Sequence, residues 1–183
     1  MHAAGQFVAR ERRVLALASQ GVRLHGPAGA GIEHAHIRDA IRAGLADGIV
    51  DALVSDHTPV DADAKNLPFA EAEPGASGLE LLLSLALRWG ADEGLTLAQS
   101  LSTVTRAPVG VLGDALGSLA ASAGRLVDGG VADVCVFDAR AHWIVQADAL
   151  RSQGKHTPFA GYELPGRVRC TLVGGAVAFD DPR

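Results

Sequence analysis

Helical and strand-like spacings of apolar residues alternate in the first half of the chain. Ile37, Ile41 and Leu45 recur at helical spacing and form one apolar face, and Gly48 is placed to end that helix. The apolar run at residues 49–54 follows at once and predicts a buried strand. A helix joined directly to a buried strand is typical of (β/α) barrels and doubly wound sheets.

Two more helices are predicted before the residue pattern changes to short β-type runs. Residues 79–89 are apolar on almost every side, which predicts a buried helix. Thr96 is a suitable N-cap for a further helix, whose inward-facing residues are predicted to be Leu97, Leu101 and Val104. We expect that helix to end before Pro108, because a residue that precedes proline disfavours helical geometry.

Beyond Gly117 the chain changes to short β-type runs separated by glycine and aspartate. The predicted strands are at residues 125–127, 132–137, 143–145, 168–173 and 176–179. Several short strands in succession predict a small β-sandwich.

Residues 1–31 match neither of these patterns. Spacing suggests a short amphipathic helix at residues 8–18, and the glycine-rich run at residues 26–31 is typical of a flexible joint. We therefore divide the chain into an unmatched segment at residues 1–31, a helix-and-strand region at residues 32–115 and a small β-sandwich at residues 116–183.

Composition excludes several classes of protein. A net charge of -5 with scattered basic residues argues against a nucleic-acid surface. No apolar run approaches the length of a membrane span and no signal-peptide pattern opens the chain, so we expect neither membrane insertion nor secretion. Cys135 and Cys170 lie in apolar, strand-like contexts without C-x-x-C spacing, which indicates reduced thiols in a cytoplasmic protein.

Four ordered motifs carry a family resemblance. S-D-H-T-P-V at residues 55–60 follows the predicted strand, and P-G-A-S-G-L-E at residues 74–80 comes one loop later. G-R-L-V-D-G-G-V-A-D-V-C-V-F-D spans residues 124–138, and T-P-F-A-G-Y-E-L spans residues 157–164. In this order they resemble the C-terminal part of a dihydroorotase of the amidohydrolase superfamily, over approximately residues 33–180.

The resemblance implies an α/β fold, namely the C-terminal fragment of an amidohydrolase (β/α) barrel at residues 32–115, followed by a small β-sandwich. In the family this sandwich is a composite domain built from both chain termini. A complete barrel needs about 250 residues, so we expect a chain of 183 residues to lack most of it. The implied activity is zinc-dependent opening and closing of the cyclic amide of dihydroorotate in pyrimidine biosynthesis.

The same resemblance assigns roles to individual residues. Asp56 would contact a metal-bound hydroxide and act as general base and then acid, a role that suits a carboxylate. The substrate-binding positions would be His57, Pro74, Gly75 and Ala76, the last three in a loop whose backbone N–H groups meet the pyrimidine ring. Next to Asp56, His57 is expected to point to the opposite face and to order the loop rather than bind metal. Purely structural roles, a loop-capping Asp56 and a plain turn at residues 74–78, remain open.

Two features of the sequence depart from an active enzyme. Many dihydroorotases have a second histidine that holds the substrate carboxylate where this chain has Val60, which cannot donate a hydrogen bond. His34 and His36 have the family's His-x-His spacing but run into a predicted helix, where side chains two residues apart point about 200° apart. The remaining ligands, a carboxylated lysine and two histidines, have no match before residue 33. We therefore expect this chain alone to bind no zinc, and Asp56 to contact metal only if other ligands come from elsewhere.

Three functions remain open from the sequence. The first is a dihydroorotase-like polypeptide that is truncated, or that carries an unrelated N-terminal segment, and is inactive alone. The second is a non-catalytic partner of aspartate carbamoyltransferase, a type that residues 56–60 resemble equally well. The third is another cyclic amidohydrolase, such as a hydantoinase or allantoinase, although residues 157–164 favour a dihydroorotase. We expect aspartate carbamoyltransferase or self-association as the partner, because an incomplete barrel leaves apolar faces uncovered.

Overall fold

The computed structural model describes residues 39–68 and 70–181, and also the backbone of a strand at residues 14–16. Helices and strands are mixed in this part of the chain. The helices are α1 at residues 39–46, α2 Ala62–Lys65, α3 Leu82–Asp92, α4 Leu97–Ser102 and α5 Arg106–Leu112, with 3₁₀ segments Leu79–Leu81, Gly113–Ala121 and Ala147–Ala149. The strands are β1 Val14–Ala16, β2 Ala52–Val54, β3 Val134–Ile144, β4 Glu163–Val173 and β5 Ala176–Asp180.

Strands β1 and β2 form a two-stranded parallel sheet, with Leu15 opposite Leu53. The prediction of a helix over residues 8–18 is therefore wrong at residues 14–16. Three apolar residues suit either conformation, and pairing with β2 decides for the strand. The remaining residues of that predicted helix lie outside the described part of the chain.

Strand β2 is shorter than the apolar run that predicted it. The backbone N–H groups of Ile49 and Val50 both donate to the carbonyl of Gly44, at 2.7 and 2.9 Å. These bonds satisfy the end of α1, so the two residues turn the chain and do not join the ladder. Only Ala52–Val54 is left as strand, and Ala52 and Leu53 are fully buried.

The three predicted helices are present in the described residues with changed boundaries, whereas the sequence pattern predicts neither α2 nor α5. The buried helix begins as the 3₁₀ segment Leu79–Leu81 and continues as α3 to Asp92. Thr96 is the N-cap of α4, because its Oγ1 accepts from the N–H of Gln99 and the Gln99 side chain accepts from the N–H of Thr96. That helix ends at Ser102, and Pro108 lies in the first turn of α5, where its missing N–H costs no helical hydrogen bond.

Strands β3, β4 and β5 form one antiparallel sheet in that order. The two runs predicted at residues 132–137 and 143–145 are parts of the single strand β3, which bulges against β4 between Asp138 and His142. The strand predicted at residues 125–127 is wrong, and Leu126 there is 79% exposed. In the described residues this region is a single three-stranded layer.

Two apolar clusters hold the described residues together, and the helical stretch at residues 79–92 contributes to both. The first contains Leu45, Leu53, Ala86 and Trp89; the second contains Leu81, Val145, Leu150 and Leu164. This stretch therefore packs on β2 through one set of residues and on the antiparallel sheet through the other. No helix among the described residues is long and apolar enough to cross a membrane.

Close packing of α3 on α4 predicts a strong effect at Gly90. A Cβ at this position would lie 1.8 Å from Ser100 Oγ and 2.7 Å from Ser100 Cβ, so the two helices would have to separate. We expect Gly90→Ala to lower the free energy of unfolding by about 1–3 kcal/mol, measured by urea denaturation followed by circular dichroism.

Gly110, in α5, is the matched control. No atom lies within 4 Å of a Cβ built there, and replacing a helical glycine with alanine should stabilise the chain by about 0.5–1 kcal/mol. Equal losses in the Gly90→Ala and Gly110→Ala variants would contradict the described packing of α3 on α4.

Candidate functional site

Asp56 lies two residues beyond the end of β2, in a loop that leaves its side chain exposed. Its φ of 46° falls in the left-handed region, which aspartate tolerates better than most residues. The Thr58 hydroxyl donates to the Asp56 carbonyl at 3.4 Å. Among the described residues, none donates a hydrogen bond to the Asp56 carboxylate, which remains available to a ligand or to water.

His57 is half-buried, and its imidazole caps the following helical segment. Its Nδ1 accepts from the backbone N–H groups of Gly78 and Leu79, at 3.2 and 3.3 Å. A ring nitrogen that accepts carries no proton, so in this arrangement the ring proton is on Nε2. The cap satisfies two N–H groups that the first turn cannot bond internally. Its predicted contact with substrate stays a prediction.

The loop at residues 74–78 folds back beside the Asp56 loop. The N–H of Thr58 donates to the carbonyl of Ala76 at 3.1 Å, and Ala76 is 2% exposed. Gly75 has a φ of 128°, and a Cβ on it would lie 2.5 Å from the Thr58 carbonyl oxygen. Only glycine permits this conformation and this approach. The structure thus brings Gly75 and Ala76 next to the loop that carries Asp56, with Pro74 exposed at the rim.

Val60 is buried where the Asp56 loop, the loop at residues 74–78 and residue 154 meet, which we call the junction. Its side chain is 6% exposed, and its Cγ2 would lie 2.8 Å from a Cβ on Gly75. A Cβ on Gly154 would lie 2.7 Å from the Val60 backbone nitrogen, so a third segment of chain packs here as well. At the position where dihydroorotases often have a ligand-binding histidine, this chain therefore has a buried apolar contact.

Residues 150–157 support the two loops through Ser77 and Glu80, and the sequence pattern did not predict these contacts. Ser77 is 2% exposed; its hydroxyl donates to the Gly154 carbonyl and lies 3.2 Å from the hydroxyl of Ser152. Glu80 Oε1 accepts from the N–H groups of Arg151 and Ser152 at 2.7 and 3.1 Å. No signal in the sequence marks these contacts, which join residues more than 70 positions apart.

The described residues do not supply a metal centre. They contain no group of three or more His, Cys, Asp or Glu side chains that could hold an ion. Asp56 is a single carboxylate, and the Nδ1 of His57 is already bonded to two backbone N–H groups. A hydrolytic zinc site needs about three protein ligands, so these residues alone do not fit the ion. His34 and His36 lie outside the described residues.

His156 is a titratable group whose pKa is shifted where residues 150–157 meet the loop at residues 74–78. Burial, and secondly the Lys65 ammonium, lower its pKa below the ordinary value of 6.5. Its carbonyl accepts from the N–H of Ser77 at 2.8 Å, and Lys65 donates through Nζ to the Glu73 carbonyl at 2.5 Å. Protonation of His156 therefore places a second positive charge beside Lys65 at the base of the loop.

The solved structures similar to this chain define the class of protein. The D-hydantoinase (dihydropyrimidinase) from Thermus sp. is 24% identical, with a TM-score of 0.67 over 79% of this chain and 31% of that one, a likeness in fold. The L-hydantoinase (dihydropyrimidinase) from Arthrobacter aurescens is 30% identical, with a TM-score of 0.64 over 76% of this chain and 31% of that one. The described architecture is thus a partial fold of the amidohydrolase type. No family model matches the sequence.

The similar sequences are more specific. The chain is 42% identical over 138 residues to a dihydroorotase-like protein of Pseudomonas aeruginosa, covering 75% of this chain and 31% of that protein. It is 39% identical over 140 residues to a dihydroorotase of Geobacter metallireducens, covering 76% and 31%. The resemblance to dihydroorotases is confirmed. The chain spans about one third of the length of these curated relatives.

The helix cap predicts the effect of replacing His57. His57→Ala removes the acceptor for two N–H groups, and we expect the free energy of unfolding to fall by about 0.5–2 kcal/mol. His57→Asn keeps a side-chain acceptor near the same place and should recover most of that loss. Thermal and urea unfolding of the three proteins measure the difference. If the alanine and asparagine variants are equally stable, the imidazole does not act as a cap.

The lowered pKa of His156 predicts a dependence of stability on pH. Because the folded state binds the proton more weakly than the unfolded state, this group's contribution is complete above pH 6.5 and is lost as pH falls through the folded pKa. We expect the loss of stability between pH 7.5 and pH 5 to be smaller in His156→Gln than in the unchanged chain. Urea midpoints across this range, compared between the two proteins, measure the contribution. Identical profiles would show that His156 does not titrate differently on folding.

Proposed function

We propose that this chain is the part of a cytoplasmic, dihydroorotase-like cyclic amidohydrolase that forms one wall of the ring-binding site. The observation that supports this proposal is the contact between the two motif loops, through the hydrogen bond from the N–H of Thr58 to the carbonyl of Ala76. That bond places the Asp56 loop beside the loop of Gly75 and Ala76. The identities of 42% and 39% with a dihydroorotase-like protein and a dihydroorotase support dihydroorotate as the substrate.

In this proposal each loop has a separate task. The exposed carboxylate of Asp56 takes up and returns a proton, since its lone pairs are free of hydrogen bonds from the other described residues. Backbone groups of the loop at Pro74, Gly75 and Ala76 contact the ring, and Gly75 permits the close approach. His57 orders the site through its cap and faces the substrate only through the remaining ring edge.

The larger architecture belongs to the same proposal. Strand β2 with helices α1 and α3 would be the end of a (β/α) barrel at residues 32–115, and the antiparallel sheet would be one layer of a β-sandwich at residues 116–183. The match to each hydantoinase structure covers 31% of the hydantoinase chain. The other barrel strands and the zinc ligands would have to be supplied from elsewhere.

A non-catalytic role beside aspartate carbamoyltransferase is a second candidate. The observation that favours it is the burial of Val60. In the resembled family this position holds a histidine that binds the substrate carboxylate, whereas here it makes an apolar contact. A chain that keeps the fold of the site but has a buried apolar residue at a substrate-binding position would serve as a structural partner. Co-elution of the chain with aspartate carbamoyltransferase in size-exclusion chromatography would support this candidate.

We expect the purified chain to retain less than one zinc ion per molecule and to show no hydrolysis of dihydroorotate or hydantoin, because its described donor set is incomplete. Plasma emission spectrometry of the dialysed protein measures the metal, and absorbance assays of both cyclic amides measure turnover. Asp56→Ala is the control and should not differ from the unchanged chain. One or two tightly held zinc ions, with turnover that Asp56→Ala abolishes, would contradict this expectation.

A further inference from the structure

Ser77 joins the loop at residues 74–78 to residues 150–157. Its side chain is 2% exposed, its hydroxyl donates to the Gly154 carbonyl, and its N–H donates to the His156 carbonyl at 2.8 Å. A serine hydroxyl has one proton, so the 3.2 Å contact with Ser152 is a bond that the Ser152 hydroxyl donates. Ser77 therefore makes three hydrogen bonds to one short segment.

Gly154 brings the same segment against the Asp56 loop. It is buried, and a Cβ on it would lie 2.8 Å from Pro59 Cβ and 2.9 Å from the Val60 carbonyl oxygen. Backbone at residue 154 thus packs directly on the backbone that leads away from Asp56. A side chain at this position would push the two segments apart.

The contact between the two loops completes a closed arrangement. Thr58 donates to Ala76 across the loops, and His57 accepts from Gly78. Glu80 then accepts from the N–H groups of Arg151 and Ser152. Residues 56–60, 74–80 and 150–157 each contact the other two, so displacement of one segment disturbs both of the others.

We propose that Ser77 and Gly154 are positioning residues, through which the segment after β3 sets the relative placement of the Asp56 loop and the ring-contact loop. A role of these residues in ligand binding rests on the proposed function, whereas the mechanical coupling of the three segments rests on their contacts alone. Asp56 has a left-handed backbone and an exposed side chain, so it contributes little packing of its own. Its location is therefore fixed by what packs against residues 58–60.

The test is amide hydrogen exchange of the whole chain, resolved by residue with nuclear magnetic resonance. In Ser77→Ala we expect the N–H groups of Thr58, Gly78 and Leu79 to exchange about tenfold faster, because the loss of the hydroxyl frees the loop. Ser77→Thr keeps the hydroxyl and should restore the slower exchange at these three positions.

Ser84→Ala is the matched control. Ser84 is also 2% exposed, and its hydroxyl also makes two bonds, to the Gly166 carbonyl and from Trp143 Nε1. It lies in α3 against the antiparallel sheet, so its loss should change exchange there and leave Thr58 and Gly78 within about twofold. The inference is overturned if Ser77→Ala and Ser84→Ala accelerate Thr58 and Gly78 equally, or if Ser77→Thr is as fast as Ser77→Ala. Absence of dihydroorotate binding would count against the proposed function and would leave the exchange result unchanged.

Discussion

Burial of the helical stretch at residues 79–92 on two sides is the constraint on which the rest of the structure depends. Leu81 and Ala86 are both 0% exposed, the first toward the antiparallel sheet and the second toward β2. Glu80 and Arg88 are exposed, whereas the apolar residues on the other sides of this stretch must be covered. It therefore joins the strand-and-helix region to the sheet, and its first turn fixes where the loops at its N-terminus can lie.

The N-terminus of that stretch is also where the candidate site is built. Nδ1 of His57 satisfies the N–H groups of Gly78 and Leu79, and Glu80 bonds to the backbone of residues 151–152. Most polar groups around Asp56 are thus occupied with holding the loops together. The Asp56 carboxylate accepts no hydrogen bond from the other described residues, which is the reason that the proposed function gives it the proton-transfer role.

Similarity to dihydroorotases supports a cyclic-amide site, whereas the set of possible metal ligands in the described residues is incomplete. The identities near 40% concern about three quarters of this chain and a segment equal to 31% of the relatives' length. At the candidate site the described residues supply the exposed carboxylate of Asp56 and a buried Val60. A wall of a cyclic-amide site is consistent with both observations, whereas a complete metal centre would require ligands from outside the described residues.

Local sequence determined several elements of this protein and the position of its motif loops. The run of apolar residues gave the buried helix, Thr96 with Gln99 gave a capping box, and the motif at residues 55–60 marked the place of Asp56, because each signal involves neighbours in the chain. Tertiary structure decided what local pattern leaves ambiguous. Residues 14–16 became a strand through pairing with β2, and Ser77 and Gly154 met across 77 positions. Such contacts depend on where packing brings distant segments, and no spacing within a single sequence encodes that.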